Sequence, residues 1–112
     1  MNRSSRWACL PITLLLVAAA PLPVGKKIAE QGNGKGAAAC SSCHGPTYQG
    51  VSALKAPAIA GLSATYIEAR LKHYASPEGH NALMRQVATS LSPDETQAVA
   101  AYLSKRPKGS PP

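Results

Sequence analysis

The chain has 112 residues, room for one domain with a single core. Its 12 Lys and Arg against 5 Asp and Glu give a net charge of +7, but the basic residues are scattered without interleaved aromatics, which argues against a nucleic-acid partner. Phenylalanine is absent, the single tryptophan is Trp7 and four tyrosines remain, so a core of Ala, Leu, Val and Ile alone would be marginal at this size. A large rigid apolar group held inside would fill that deficit.

Arg3 and Arg6 precede an apolar run from Trp7 to Ala20 that contains Leu14-Leu15-Leu16-Val17 and closes on Ala18-Ala19-Ala20. A short basic region, an apolar core and a small-residue end are the parts of a secretory signal peptide, so residues 1–20 are expected to be one, cleaved near Ala19 or Ala20. The run is shorter than the roughly 18 apolar residues of a membrane span. Cys9 is expected to be lost with it. Loss of Arg3 and Arg6 leaves 10 basic against 5 acidic residues, a net charge near +5. Most of that charge reads as solvated surface; the sharper reading is steering toward an acidic partner or an anionic membrane surface.

The folded domain is expected over residues 24–106. Val24 to Gln31 reads as a short helix, broken by Gly32-Asn33-Gly34-Lys35-Gly36. Ala37-Ala38-Ala39 leads into a helical turn carrying two cysteines, which Gly45-Pro46 ends. The stretch from Thr47 to Gly61 is loop. Ser63 is placed to cap a helix reaching Ala75, with Ile67, Leu71 and Tyr74 at i, i+4, i+7, and Ser76-Pro77-Glu78-Gly79 stops it. Met84, Val87, Ala88 and Leu91 repeat at i, i+3, i+4, i+7. Ser92-Pro93-Asp94-Glu95 is a capping box with proline at the first helical position; Val99, Tyr102 and Leu103 form the buried face of the helix it opens. Lys105 and Arg106 suit its carbonyl end, and residues 107–112 read as a flexible tail. No alternating β-branched run occurs, so the expected class is all-α, short helices with long loops that wrap something.

Beyond the export segment both cysteines lie in Cys40-Ser41-Ser42-Cys43, and His44 follows directly. On a helical turn, residues three apart face the same way, roughly 5–6 Å apart at Cβ. Two such thiols can form thioethers to the two vinyl groups on one side of a porphyrin, and the adjacent imidazole can ligate its iron. The pattern therefore points to one covalent haem c. A thioredoxin-like pair would want a βαβ context, a zinc site four ligands, and a plain disulfide no histidine. Met84, 40 residues beyond His44, is the candidate sixth ligand, with core filler as its other reading. His80 competes for that role from a Gly79-His80-Asn81 setting, while His73, beside Lys72 on a helix, reads as surface.

From Val24 to Arg106 the chain resembles the small class I bacterial c-type cytochromes. The resemblance rests on Gly25-Lys26-Lys27-Ile28-Ala29, Cys40-Ser41-Ser42-Cys43-His44-Gly45, Pro57-Ala58-Ile59-Ala60-Gly61-Leu62, Tyr66, Met84 and Ala100-Ala101-Tyr102-Leu103. It implies a cytochrome c fold and a periplasmic monohaem electron carrier, not an enzyme, with respiratory redox proteins (a dehydrogenase or terminal oxidase) as partners. It implies that the Pro57 carbonyl orients His44, and that the first and last helices cross, joining Ile28 and Gly32 to Tyr102. Relatives often place Gly-Arg before the methionine where this chain has Gly79-His80, so the partner of the haem propionates is not legible there. The reading from another class is a ligand-binding or peroxidatic haem protein in which Met84 does not bind.

Overall fold

The structure, a computed structural model, describes residues 22–109, so the expected signal peptide and residues 110–112 lie outside the described residues. In chain order it contains α1 (Leu22–Gln31), α2 (Ser41–His44), a 3-10 turn (Ser52–Leu54), α3 (Ala64–Ala75), α4 (Ala82–Thr89) and α5 (Pro93–Ser104). Among the described residues the β pairing is one isolated bridge, Val51 with Ala56, so the all-α expectation holds. No helix among them is long and apolar enough to cross a membrane.

The apolar repeats read from the sequence are the faces that meet. Ile28 and Ala29 of α1, Ile67 and Leu71 of α3, Ala88 and Leu91 from the α4 segment, and Val99, Ala100, Tyr102 and Leu103 of α5 form one buried cluster. α1 packs on α5, and α3 packs on both α4 and α5. Of the contacts the resemblance implied for this crossing, Ile28 and Tyr102 share the buried cluster, but the close backbone approach to α5 is at Gly25 and not at Gly32. A Cβ at Gly25 would collide with the Ala98 carbonyl and come within 2.9 Å of Tyr102 Cβ. A glycine inside a helix lowers its propensity, and here the backbone approach requires it. Gly32 instead lies against the backbone of Ala37 and Ala38.

Side chains at element ends fix the loops. Asn33 Nδ2 donates to the Ser90 carbonyl at 2.7 Å and to Glu95 Oε1 at 3.3 Å, tying the glycine-rich turn to the start of α5. The expected capping box is present: Glu95 N–H donates to Ser92 Oγ at 3.1 Å, and Ser92 N–H donates to Glu95 Oε1 at 3.0 Å. That backbone donor, with smaller help from Asn33, holds the Glu95 carboxyl below the usual carboxylate range. Its contribution is therefore present above a pH of about 4.3, the unfolded value, and lost as pH falls through the lower folded value. Ser92→Ala is expected to cost about 1 kcal/mol in denaturant unfolding at pH 7. For Glu95→Gln the deficit should shrink as the same measurement is taken to lower pH.

Tyr48 occupies the left-handed region at φ 61° and is buried, its ring edge-on to Tyr102 with centroids 6.1 Å apart. After α5 the chain returns along this turn. Gln49 Nε2 donates to the Pro107 carbonyl at 3.2 Å, and Gly109 N–H donates to Gln49 Oε1 at 3.0 Å. Residues 107–109 of the expected tail thus lie against the turn after α2.

Candidate functional site

The cysteine motif folds as one tight helical turn. Cys40 is the residue before α2, Cys43 and His44 lie within it, and Gly45 closes it at φ 92°. The His44 amide donates to the Cys40 carbonyl at 2.9 Å, which fixes the spacing of the two thiols and the imidazole. Both thiols are free. Burial pushes the Cys40 thiol up to about 11, so it stays protonated near neutrality. Cys40 is thus not the lowered-pKa thiol that a dithiol oxidoreductase uses as its nucleophile. Among the described residues no group of three or more His, Cys, Asp and Glu stands together, so the zinc alternative has no ligand set.

The loop expected over residues 47–61 is more ordered than its composition indicated. The Gly50 amide donates to the His44 carbonyl at 2.8 Å, and Val51 and Ala56 exchange amide hydrogen bonds of 2.9 and 3.2 Å around the 3-10 turn. Gly50, at φ 87°, has no room for a side chain: a Cβ would lie 2.8 Å from both the Ala56 carbonyl oxygen and the Ala58 nitrogen. This close crossing delivers the Pro57 carbonyl to the imidazole. His44 Nδ1 lies 2.7 Å from Pro57 O, and because a carbonyl only accepts, Nδ1 carries the proton. Nε2 is left with its lone pair available to a metal. His44 is buried, so the orientation is set by its surroundings as well as by this bond.

Met84 stands in the first turn of α4. Asn81, extended at φ −120°, caps that helix by accepting from the Met84 amide at 3.0 Å, a signal present in the sequence three residues before the methionine. Met84 is half-buried against the core cluster.

One cavity of about 380 Å³ collects these groups: Cys40, Cys43, His44, Pro57 and Met84 all line it. The rest of its wall is mainly apolar, with Ile59, Leu62, Ile67, Leu71, Val99 and Leu103 among the residues. His80 and His73 are exposed and not part of the wall. Other lining residues were not singled out from sequence. Leu54, Tyr66 and Leu83 are 59, 53 and 76% exposed, and Lys55 and Arg70 are the cations of the wall. No Asp or Glu among the described residues lines it.

The donor set fits a haem: two thiols three residues apart, an imidazole with Nε2 free, a thioether in the same wall, and apolar surface between them. The chain holds one such CxxCH motif, consistent with one covalently bound haem c.

Comparison with known proteins gives the same family. The family model for Cytochrome c matches residues 25–107. The chain is 36% identical over 107 residues to the thiosulfate dehydrogenase electron acceptor of Stutzerimonas stutzeri (strain A1501), covering 94% of this chain and 50% of that protein. It is 41% identical over 101 residues to the thiosulfate dehydrogenase electron acceptor of Thiomonas intermedia (strain K12), covering 79% and 45% respectively. Among solved structures, the cytochrome c4 of Acidithiobacillus ferrooxidans superposes with a TM-score of 0.69 at 35% identity, over 76% of this chain and 49% of the other. The chain spans about half the length of these relatives.

Proposed function

The chain belongs to the cytochrome c family, and from that premise we propose that it is a periplasmic monohaem electron carrier. The observation that carries the reading is the convergence of Cys40, Cys43, His44 and Met84 on one apolar cavity, with His44 Nδ1 fixed 2.7 Å from the Pro57 carbonyl. When bound, haem supplies a reversible one-electron iron couple.

The chain's own residues define how that couple is used. Cys40 and Cys43 tether the group, so it is retained through repeated encounters. His44 presents Nε2, and Pro57, by holding Nδ1–H, fixes the tautomer and raises the basicity of the ligand. Met84, in the same cavity wall, would be the second protein ligand to the iron; a thioether partnering the imidazole would favour the reduced state and leave no position for a substrate. This is the ligand set of a carrier, not of a catalyst. Residues 1–20 support export, with Arg3 and Arg6 ahead of the apolar run.

The mouth of the cavity supplies the meeting surface. Leu54, Tyr66 and Leu83 stand exposed there beside Lys55 and Arg70, with no carboxylate in the wall. An apolar patch flanked by cations suits a partner with an acidic rim, whose approach it steers. Two relatives are named as electron acceptors of thiosulfate dehydrogenase, so that enzyme is the donor to assay first.

The test is the mass and the visible spectrum of periplasmically matured protein. One covalent haem per chain and no carbon monoxide binding to the ferrous form are expected. A chain without haem mass would overturn the reading. Carbon monoxide binding would replace the carrier by a ligand-binding haem protein with Met84 off the iron.

A further inference from the structure

Haem brings two propionate carboxylates, and a carboxylate at the edge of an apolar cavity requires a cation or hydrogen-bond donors. Two cations line the cavity, Lys55 and Arg70. They differ in how firmly they are held. Both are exposed; Lys55, which ends the 3-10 turn in the left-handed region at φ 54°, is a flexible point charge. Arg70 lies on α3 between Tyr66 and Tyr74, and these three residues, four apart in turn, all line the cavity. Its Nη2 donates to Tyr74 Oη at 3.2 Å, and its guanidinium carbon stands 5.0 Å from the centroid of the Tyr74 ring. Stacked and tethered, the planar guanidinium is positioned in advance, and four of its five N–H donors remain for a carboxylate.

We propose that Arg70 is the residue that binds a haem propionate and keeps it ionised. This rests on the haem reading above. The other charged or titratable groups of the region do not compete for the role. Tyr66 and Tyr74 share the wall as neutral phenols, and Cys40, Cys43 and His44 are placed to hold the porphyrin and its iron. Glu68 and Lys72, also on α3, line a separate groove toward the start of α5, with Asp94. His73 and His80 are outside the wall, and Arg85 of α4 donates to the Ser76 carbonyl at 3.2 Å.

The test is the midpoint potential of the haem-loaded protein from pH 5 to 9 for the wild type, Arg70→Gln, Arg70→Lys and Lys55→Gln. A guanidinium beside the propionate lowers its pKa, so the wild-type potential should be flat across this range. In Arg70→Gln the ionised propionate is uncompensated and favours ferric iron. At pH 8 the ratio of oxidised to reduced protein at a fixed potential should rise by about three- to tenfold, tenfold being 59 mV for one electron. Its propionate pKa rises as well, so the potential should climb as pH falls and meet the wild-type value once the carboxylate is protonated. Arg70→Lys should keep most of the wild-type behaviour, and Lys55→Gln should stay flat.

An Arg70→Gln protein with covalent haem, an unchanged spectrum and a flat wild-type potential would overturn the proposal while leaving the haem reading intact. Should Arg70→Gln yield little haem-loaded protein, recovery of yield and potential by Arg70→Lys supports it. Equal failure of both variants overturns it in favour of a packing role on Tyr74. A wild-type chain that takes up no haem would overturn both readings.

Discussion

Met84→Ala is expected to remove the weak long-wavelength absorption of a methionine–iron(III) bond, to admit carbon monoxide to the ferrous protein, and to lower the midpoint potential. The fall should be on the order of 0.2 V, a fraction of the ~0.8 V range over which axial ligands set haem potentials. The reason is chemical. A thioether donates weakly to ferric iron, so its presence favours the reduced state, and its loss leaves water or nothing in that position. The position of Met84 makes the effect local. It stands in the first turn of α4 behind the Asn81 cap, and α4 is joined to the core by Ala88 and Val87 rather than by Met84 alone. Truncation of this half-buried side chain should cost about 2 kcal/mol or less of stability, leaving the chain folded. Absorption and potential of the variant, recorded beside the wild type, check the expectation. A band that survives the substitution would remove Met84 from the site, and His80, four residues earlier but outside the cavity wall, would then have to be reached by unwinding the first turn of α4.

Local chemistry accounts for what was legible in the sequence. Ser63 and Ser92 are caps because a side-chain oxygen three residues before a free amide needs nothing from the rest of the molecule. The Cys40–His44 turn is similar, since its geometry is set by residues one turn apart. The loop from Gly50 to Pro57 was not legible, and the role of Pro57 was expected only from the family resemblance. Its bridge and 3-10 turn depend on the backbone of residues 56–58 lying against Gly50, a contact that composition does not encode. Arg70 was hidden for another reason. Tyr66, Arg70 and Tyr74 form a stripe of their own on α3, but Ile67, Leu71 and Tyr74 form the apolar stripe beside it, and periodicity follows the apolar one. Only the cavity shows that the neighbouring stripe, though largely exposed, also lines its wall. The crossing of α1 with α5 was implied by the family resemblance at Ile28 and Gly32; the resemblance did not point to Gly25, where the backbones approach most closely.

Gly25→Ala separates these two kinds of information, because they predict opposite signs. Taken alone, a Gly-to-Ala change inside a helix stabilises it by about 1 kcal/mol through propensity. The contact across the crossing predicts the reverse. The new methyl group would collide with the Ala98 carbonyl and press on Tyr102 Cβ at 2.9 Å, and both obstacles are parts of α5 that cannot swing aside as a long side chain can. Relief requires moving α1 away from α5, which loosens Ile28 and Ala29 against Val99 and Leu103. Overpacking of this kind costs about 1–3 kcal/mol or more, so a net loss of about 2 kcal/mol is expected in guanidinium unfolding of the haem-loaded protein. Gly34→Ala serves as the control. It carries the same change at φ 69° with nothing within 4 Å, so its cost is the left-handed backbone alone, about 1–2 kcal/mol, with no effect on the core. The two variants should also differ at the site. Val99 and Leu103 line the cavity from α5, so a displaced crossing should disturb the haem spectrum in Gly25→Ala and leave it unchanged in Gly34→Ala. A Gly25→Ala protein as stable as the wild type would mean that the helices part at little cost, and that the attachment of α5 to the cavity, rather than its crossing with α1, holds the domain closed.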